Sequence, residues 1–188
     1  SNVRTPEERE WDIVAQISAN TIGKQRLLEL CDKYGKSEVI KYSAELQNYS
    51  DRIMRSVIRK IPDGKYSFSD FLDDDGIAEK PVRIKACINI KGSRVRVDFS
   101  GSSKQVKGCV NAVYAVTVSS VFYVFRCLMN SDVPANLGCM RAISINAPEG
   151  SVVNAKMPAA VSGGNVETSQ RIVDVVFGAL SKAIPDKI

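Results

Sequence analysis

Three short stretches carry side chains whose types and spacing could do chemistry. In VDFSGSSKQVKGCVNA, Val97 to Ala112, Asp98 ends an alternating apolar run, and Ser100, Gly101, Ser102, Ser103, Lys104 and Lys107 follow. Small residues let backbone N–H groups and hydroxyls come close to a ligand, and the two lysines could neutralise an anion. The same residues would also make a plain strand-to-helix connection. In SGGNVETSQR, Ser162 to Arg171, Gly163 and Gly164 precede Asn165, with Glu167, Thr168 and Arg171 close behind. Backbone N–H groups at such a helix start can hold an oxyanion, a carboxylate or a phosphate. Asn165 would serve equally as an N-cap with no ligand present. In DFLDDDG, Asp70 to Gly76, four aspartates surround a glycine. Carboxylate oxygens suit a hard cation, but the spacing is not that of an EF-hand, and Asp and Gly are turn residues. This stretch reads as an acidic strand-to-strand turn.

Several chemistries are excluded by what the chain lacks. It has no histidine, which removes Ser-His-Asp triads, Cys-His dyads and H-E-x-x-H zinc sites. No GK[ST] follows the glycine pair, so it is not a Walker loop. The five cysteines, Cys31, Cys87, Cys109, Cys127 and Cys139, are odd in number and form no C-x-x-C pair. They read as reduced, mostly buried thiols of a cytoplasmic protein with no metal site of its own. The net charge of +5 is spread along helices with acids interleaved, as in DRIMRSVIRK, so nucleic acid is not an expected partner. No signal peptide is read at the start. The most apolar segment, CVNAVYAVTVSSVFYVFRCLM, contains Asn111 and Arg126 and reads as a core helix rather than a membrane span.

The elements that must position these residues follow from period. TPEE at Thr5 to Glu8 is a helix start, with Thr5 as cap and Pro6 in the first turn. Val14, Ile17, Leu27, Leu28, Cys31 and Tyr34 keep helical spacing up to Gly35, and Val39, Leu46, Tyr49, Ile53, Val57 and Ile61 form a second stripe. Two long helices joined by a tight turn predict an antiparallel hairpin over residues 1–63. From residue 64 the period becomes two. KYSFSDFL, PVRIKACINI and SRVRVDF predict strands, with KGS as a hairpin turn between the last two. A core helix over about Val110 to Met129, a strand at Met140 to Asn146, a turn-rich loop and a last helix from Val166 to Ile184 complete an α+β domain over 64–188. The predicted class is α+β: an N-terminal antiparallel helix hairpin, then a mostly antiparallel sheet packed against a buried central helix and a C-terminal helix.

In order, these stretches resemble one family. RTPEEREWDIVAQISAN, GKQRLLELCDKYG, IPDGKYSFSDFLDDDG, VDFSGSSKQVKGCVNA, PANLGCMRAISINAPEGSVVNAKMPAAVSGGNVETSQRIVD and GALSKAIP together are similar to hydantoinase B, the B subunit of the hydantoinase/oxoprolinase family, from about Arg4 to Pro185. The resemblance implies a subunit that pairs with a hydantoinase A subunit of the actin/hexokinase-like ATPase type. Together they would open a small cyclic amide such as 5-oxoproline or N-methylhydantoin at the expense of ATP. Acetone and acetophenone carboxylase catalytic subunits are relatives, which leaves a carboxylase subunit as an alternative. A non-catalytic scaffold segment docking the ATPase partner through its two long helices is another. The resemblance implies an internal segment of a longer subunit. ATP would then sit on the partner, and any divalent metal would use ligands outside this stretch. Cys109 and Ala142 stand where the family pattern has prolines. The pattern also favours a substrate-side role for DFSGSS. It places Asp98, Ser100, Gly101, Asn111, Asn136, Arg141, Gly163, Gly164, Asn165, Glu167 and Thr168 near one cleft, with no general base or nucleophile assigned.

Overall fold

A computed structural model describes residues 5–129 and 132–188. Arg4, where the resemblance begins, lies outside them. The chain divides into two units within one helix, between Leu46 and Gln47. The first contains helix α1, Pro6–Tyr34, and the start of α2, Lys36–Ile58. Pro6 and the acidic pair Glu7 and Glu8 occupy the first turn of α1, as its sequence predicts. Thr5 does not cap it. Its backbone is left-handed, at φ 46°, and its side chain makes no capping bond.

The apolar stripe expected to pack α1 in a hairpin is left exposed. No residue of α1 is buried, and Ile17, Leu27, Leu28 and Tyr34 are all exposed. Only Gly35, at φ 86°, separates α1 from α2, and its N–H still bonds the Cys31 carbonyl. Helix hairpins use loops of about two to five residues, and one residue does not reverse the chain.

The second unit holds the core. Strands β1 (Gly64–Leu72), β2 (Val82–Lys91) and β3 (Arg94–Asp98) form an antiparallel meander, and β4 (Ile143–Asn146) adds in parallel to β3. Alternation in β2 and β3 puts Ile84, Ala86, Ile88, Ile90, Val95 and Val97 on one face, each almost fully buried. Helix α4, Ser169–Leu180, lies over β1 and β2 on that face and presents Ile172, Val175, Val176, Ala179 and Leu180. Helix α3, Tyr114–Cys127, packs against α4. The α+β class is as read from the sequence.

Three features differ from expectation. The central helix starts at Tyr114 rather than near Val110, because Ala112 is held extended: its N–H donates to the Val152 carbonyl and its carbonyl accepts from Ala155. It is buried on one side only, with Tyr114 and Tyr123 exposed. In α2 the fully buried residues are Ser50, Met54 and Ile58; of the expected stripe, Ile53 and Val57 are half-buried against the same core and Ile61, just past the helix, is buried, whereas Leu46 and Tyr49 are exposed. Ser50 is tolerated inside because its hydroxyl donates to the Pro134 carbonyl and accepts from the Asn136 amide. Of the cysteines, Cys139 alone is buried; Cys109 and Cys127 are exposed, which corrects the expectation of mostly buried thiols. All five are free.

Candidate functional site

The three stretches singled out by chemistry meet at one place. The acidic turn after β1, the end of the 97–112 stretch and the start of the last helix border a cavity of about 360 Å3, lined by Asp73, Asp74, Asp75, Cys109, Glu167 and Arg171 among others. Each wall is fixed by a specific device.

Asp75 fixes the first wall. Its side chain is 5% exposed. One carboxylate oxygen accepts from the Ile77 and Ala78 N–H groups at 3.0 and 2.7 Å, and the other accepts from the Gly108 N–H at 3.0 Å. These three bonds, led by Ala78, hold its pKa below the ordinary 3.8 against the opposing effect of burial. Gly108 is required there: a Cβ would stand 1.7 Å from the Asp75 carbonyl oxygen.

Asn111 fixes the second wall. It is fully buried. Its oxygen accepts from the Val106 N–H, and its amide nitrogen faces the carbonyls of Val106, Gly108 and Ala160, each at 2.9 Å. A buried asparagine with every polar atom engaged is a clamp. It ties the 106–108 loop to the 160 segment.

The third wall is the helix start, and it differs from expectation. Gly164–Thr168 is a π turn leading into α4. Such turns are rare and cluster at functional sites. Asn165 lies inside this turn, exposed, and caps nothing; the cap position is Gly163. The Gly163 N–H donates to the Cys109 carbonyl at 2.8 Å, and the Gly164 N–H to the Val161 carbonyl at 3.1 Å. Neither amide is left for an anion. A Cβ on Gly164 would reach 2.1 Å from the Asn111 carbonyl oxygen, so the glycine pair serves close backbone approach. The buried Thr168 hydroxyl donates to the Val110 carbonyl. Arg171 bonds Asp70 at 2.5 Å and lies 3.5 Å from Asp174.

Of the expected cleft residues, Glu167 alone lines this cavity; Asn111, Gly163, Gly164 and Thr168 brace the backbone behind it. Asn165 borders a different groove, between α3 and α4, with Ser119, Tyr123 and Asp174. Asp98, Ser100 and Gly101 are at the end of β3. Asp98 accepts from the Ser100 N–H and the Asn146 amide, both at 2.9 Å. Burial opposes its charge, but Ser100, Asn146 and the Arg96 charge together hold its pKa below 3.8. Ser102 and Ser103 then hydrogen-bond the backbone of Lys85 and Arg83, so the loop prolongs the ladder along β2 beyond the end of β3. The DFSGSS stretch works here as a strand extension. The Ser100 N–H, like the Gly164 N–H, is bonded within the chain, so neither amide is left for an anion.

Asn136 and Arg141 belong to a third cluster. Asn136 caps a 3-10 turn at Gly138 and donates to Ser50, while Arg141 donates to the Asn48 and Gln47 side chains at 2.8 and 2.7 Å. A Cβ on Gly138 would come 2.0 Å from the Gln47 carbonyl oxygen. These residues seat the second half of α2. Gln47, Ser50 and Asn146 carried no signal in the sequence, because their partners lie 48 to 94 positions away.

The cavity is acidic. Asp73, Asp74 and Glu167 are exposed at its mouth, and Arg171, its cation, is engaged by Asp70 and Asp174. Such a site favours N–H donors and disfavours anions. It does not fit the divalent metal the resemblance implies for a longer subunit. Asp75 is consumed by backbone donors, and among the described residues no three carboxylates or thiols stand together to hold an ion. Among the described residues, no helix is long and apolar enough to cross a membrane.

The family description Hydantoinase B/oxoprolinase matches residues 1–188. The chain belongs to this family. It is 35% identical over 170 residues to a 5-oxoprolinase of Saccharomyces cerevisiae, covering 88% of the chain and 13% of that protein. It is 35% identical over 198 residues to a protein of Pseudomonas sp. described as the B subunit of a putative D-/L-hydantoinase, covering all of the chain and 33% of that protein. The crystal structure of an ATP-dependent caprolactamase from Pseudomonas jessenii superposes with a TM-score of 0.85 at 30% identity, covering all of the chain and 32% of that structure. The chain spans a third or less of the length of these family members.

Proposed function

We propose that the chain is a segment of a cytoplasmic hydantoinase B/oxoprolinase-type subunit. With an ATPase-type A subunit, that protein hydrolyses a cyclic amide such as 5-oxoproline or N-methylhydantoin at the expense of ATP. One observation carries the reading: likeness over the whole chain to an ATP-dependent caprolactamase, at 30% identity and a TM-score of 0.85. Relatives described as a 5-oxoprolinase and as one subunit of a hydantoinase support the same reaction class, and the second of these descriptions supports a partner.

The acidic cavity is consistent with this class. A cyclic amide presents a ring N–H, and the carboxylates of Asp73, Asp74 and Glu167 are acceptors for it. Nucleotide chemistry falls to the partner in this reading, since the Gly163 and Gly164 amides are bonded within the chain. The segment then contributes a rigid acidic wall.

The test is reconstitution. The full-length protein that carries this segment, mixed with its A-type partner and ATP, should release phosphate when 5-oxoproline or N-methylhydantoin is added, with ring-opened product in step. Phosphate release that ignores every cyclic amide tried would overturn the proposal. So would turnover by the full-length protein without ATP or partner.

A further inference from the structure

The π turn that leads into α4 has a second flank, which the acidic cavity does not use. There α3 and α4 border a groove of about 570 Å3, within the roughly 300–1,000 Å3 of small-molecule sites. Ala115, Val116 and Val173 give it an apolar lining, and Tyr123 adds an exposed aromatic ring. Three polar side chains complete it: Ser119 on α3, Asn165 in the π turn and Gln170 in the first turn of α4. All three are exposed, and none has a hydrogen-bond partner for its side chain among the described residues. Their neighbours differ. Ser120 and Ser169 also line the groove, but their hydroxyls donate to the Val116 and Asn165 carbonyls, each at 2.9 Å. The groove thus keeps two carboxamides and a hydroxyl open beside an apolar surface. Among the described residues no lysine or arginine lines it, and its one carboxylate is Asp174.

That combination fits a neutral ring amide. A carboxamide presents an acceptor and donors side by side. Closing a small ring holds its amide cis, so the ring N–H and C=O lie on one edge. Asn165 or Gln170 can then donate to the ring carbonyl and accept from the ring N–H together. The carboxylates of the acidic cavity are acceptors alone and can meet only the N–H. The ring's apolar face takes the Tyr123 ring and the aliphatic lining. A ring that carries a carboxylate, as 5-oxoproline does, would bring its charge beside Asp174 with no cation lining the groove to receive it. We propose that the α3–α4 groove is a binding site for a neutral cyclic amide, distinct from the acidic cavity, and that it selects N-methylhydantoin-like rings over 5-oxoproline. The choice of ligand class rests on the function proposed above.

The experiment measures N-methylhydantoin binding to the full-length protein by calorimetric titration, without ATP or partner, and then with 5-oxoproline as competitor. Asn165→Ala with Gln170→Ala changes two exposed side chains and should leave the thermal melt intact. It removes both carboxamides and should raise the Kd about tenfold or more. Ser119→Trp, which fills the groove from α3, should do the same. Lys60→Ala, exposed and away from the groove, should bind as wild type does. An unchanged Kd in both groove variants overturns the proposal. So does a wild-type protein that binds no N-methylhydantoin at millimolar concentration, or 5-oxoproline that displaces it at equal concentration. The two readings fail separately. If the complex with the partner and ATP opens a cyclic amide while the groove variants bind as wild type does, this inference alone falls. If the complex opens no cyclic amide, the proposed function falls, and binding that the groove variants lose still supports the site.

Discussion

Asp75 and Asn111 hold the cavity by opposite means, a charge satisfied by backbone and an amide satisfied by backbone, and each makes its own prediction. Asp75 has a folded pKa below its ordinary 3.8, and so does Asp98. A depressed carboxylate contributes stability that is fully present above the unfolded value and is lost as pH falls through the folded one. Melting temperature should therefore hold down to about pH 4 and drop below it. Asp75→Asn should melt lower than wild type at neutral pH and show a shallower acid limb; an unchanged acid limb would deny Asp75 this role. Asn111→Ala strands the Val106 N–H and three carbonyls in a buried place, and should cost about 3 kcal/mol in denaturant unfolding. Asn165→Ala, by contrast, should stay within about 0.5 kcal/mol, because the exposed side chain caps nothing. A full cap-sized loss at Asn165 would contradict the π-turn geometry.

Elements meet here through glycines. The 97–112 stretch, the acidic turn and the π turn approach backbone to backbone, and Gly108 and Gly164 are the points of closest approach. Gly164→Ala would drive a methyl group to 2.1 Å from the Asn111 carbonyl oxygen. Because the obstacle is backbone, it cannot swing aside as a side-chain tip would. The variant should lose at least about 2 kcal/mol of stability. Gly23→Ala lies in open space on α1 and should be neutral to slightly stabilising, since alanine favours the helix. Equal behaviour of the two variants in urea melts would refute the close-packed reading. The existence and type of these elements were legible from period alone: alternation marked β1 to β3, and the 3.6-residue stripe marked α4 down to each inward residue. The α2 stripe was legible only in part: Ile53, Val57 and Ile61 meet the core, but Leu46 and Tyr49 are exposed. Its inward edge is set by Ser50 meeting Asn136 and Pro134, a contact that hydrophobic spacing cannot report.

For the whole molecule, length sets the expectation. The chain spans about a third of the Pseudomonas hydantoinase relative, carries no histidine, and has no phosphate loop. The purified chain of 188 residues should therefore release no phosphate from ATP and open no 5-oxoproline or N-methylhydantoin ring. Turnover by the chain alone would contradict this reading. Its α1 helix exposes Trp11, Ile13, Ile17, Ile22 and Leu27 and buries nothing. A helix without a packed face is marginal in water, so α1 should exchange its amide hydrogens far faster than α4, as hydrogen exchange by mass spectrometry would show.

The family, the α+β class, the meander and the core faces of β2, β3 and α4 are written in the residues themselves, because they rest on local period and on long ordered motifs. So are the three stretches that line the cavity. What the residues of those stretches do depends on folded contacts. Gly163 and Gly164 read as anion donors until Cys109 and Val161 are seen to take their N–H groups, and DFSGSS reads as a ligand loop until its serines are seen bonding along β2. Asp75 reads as one turn aspartate among several, yet it reaches 33 positions along the chain to Gly108. The physical reason is common to all three. A polar group's role is set by whether a partner has already satisfied it, and those partners are brought in by the fold from distant parts of the chain.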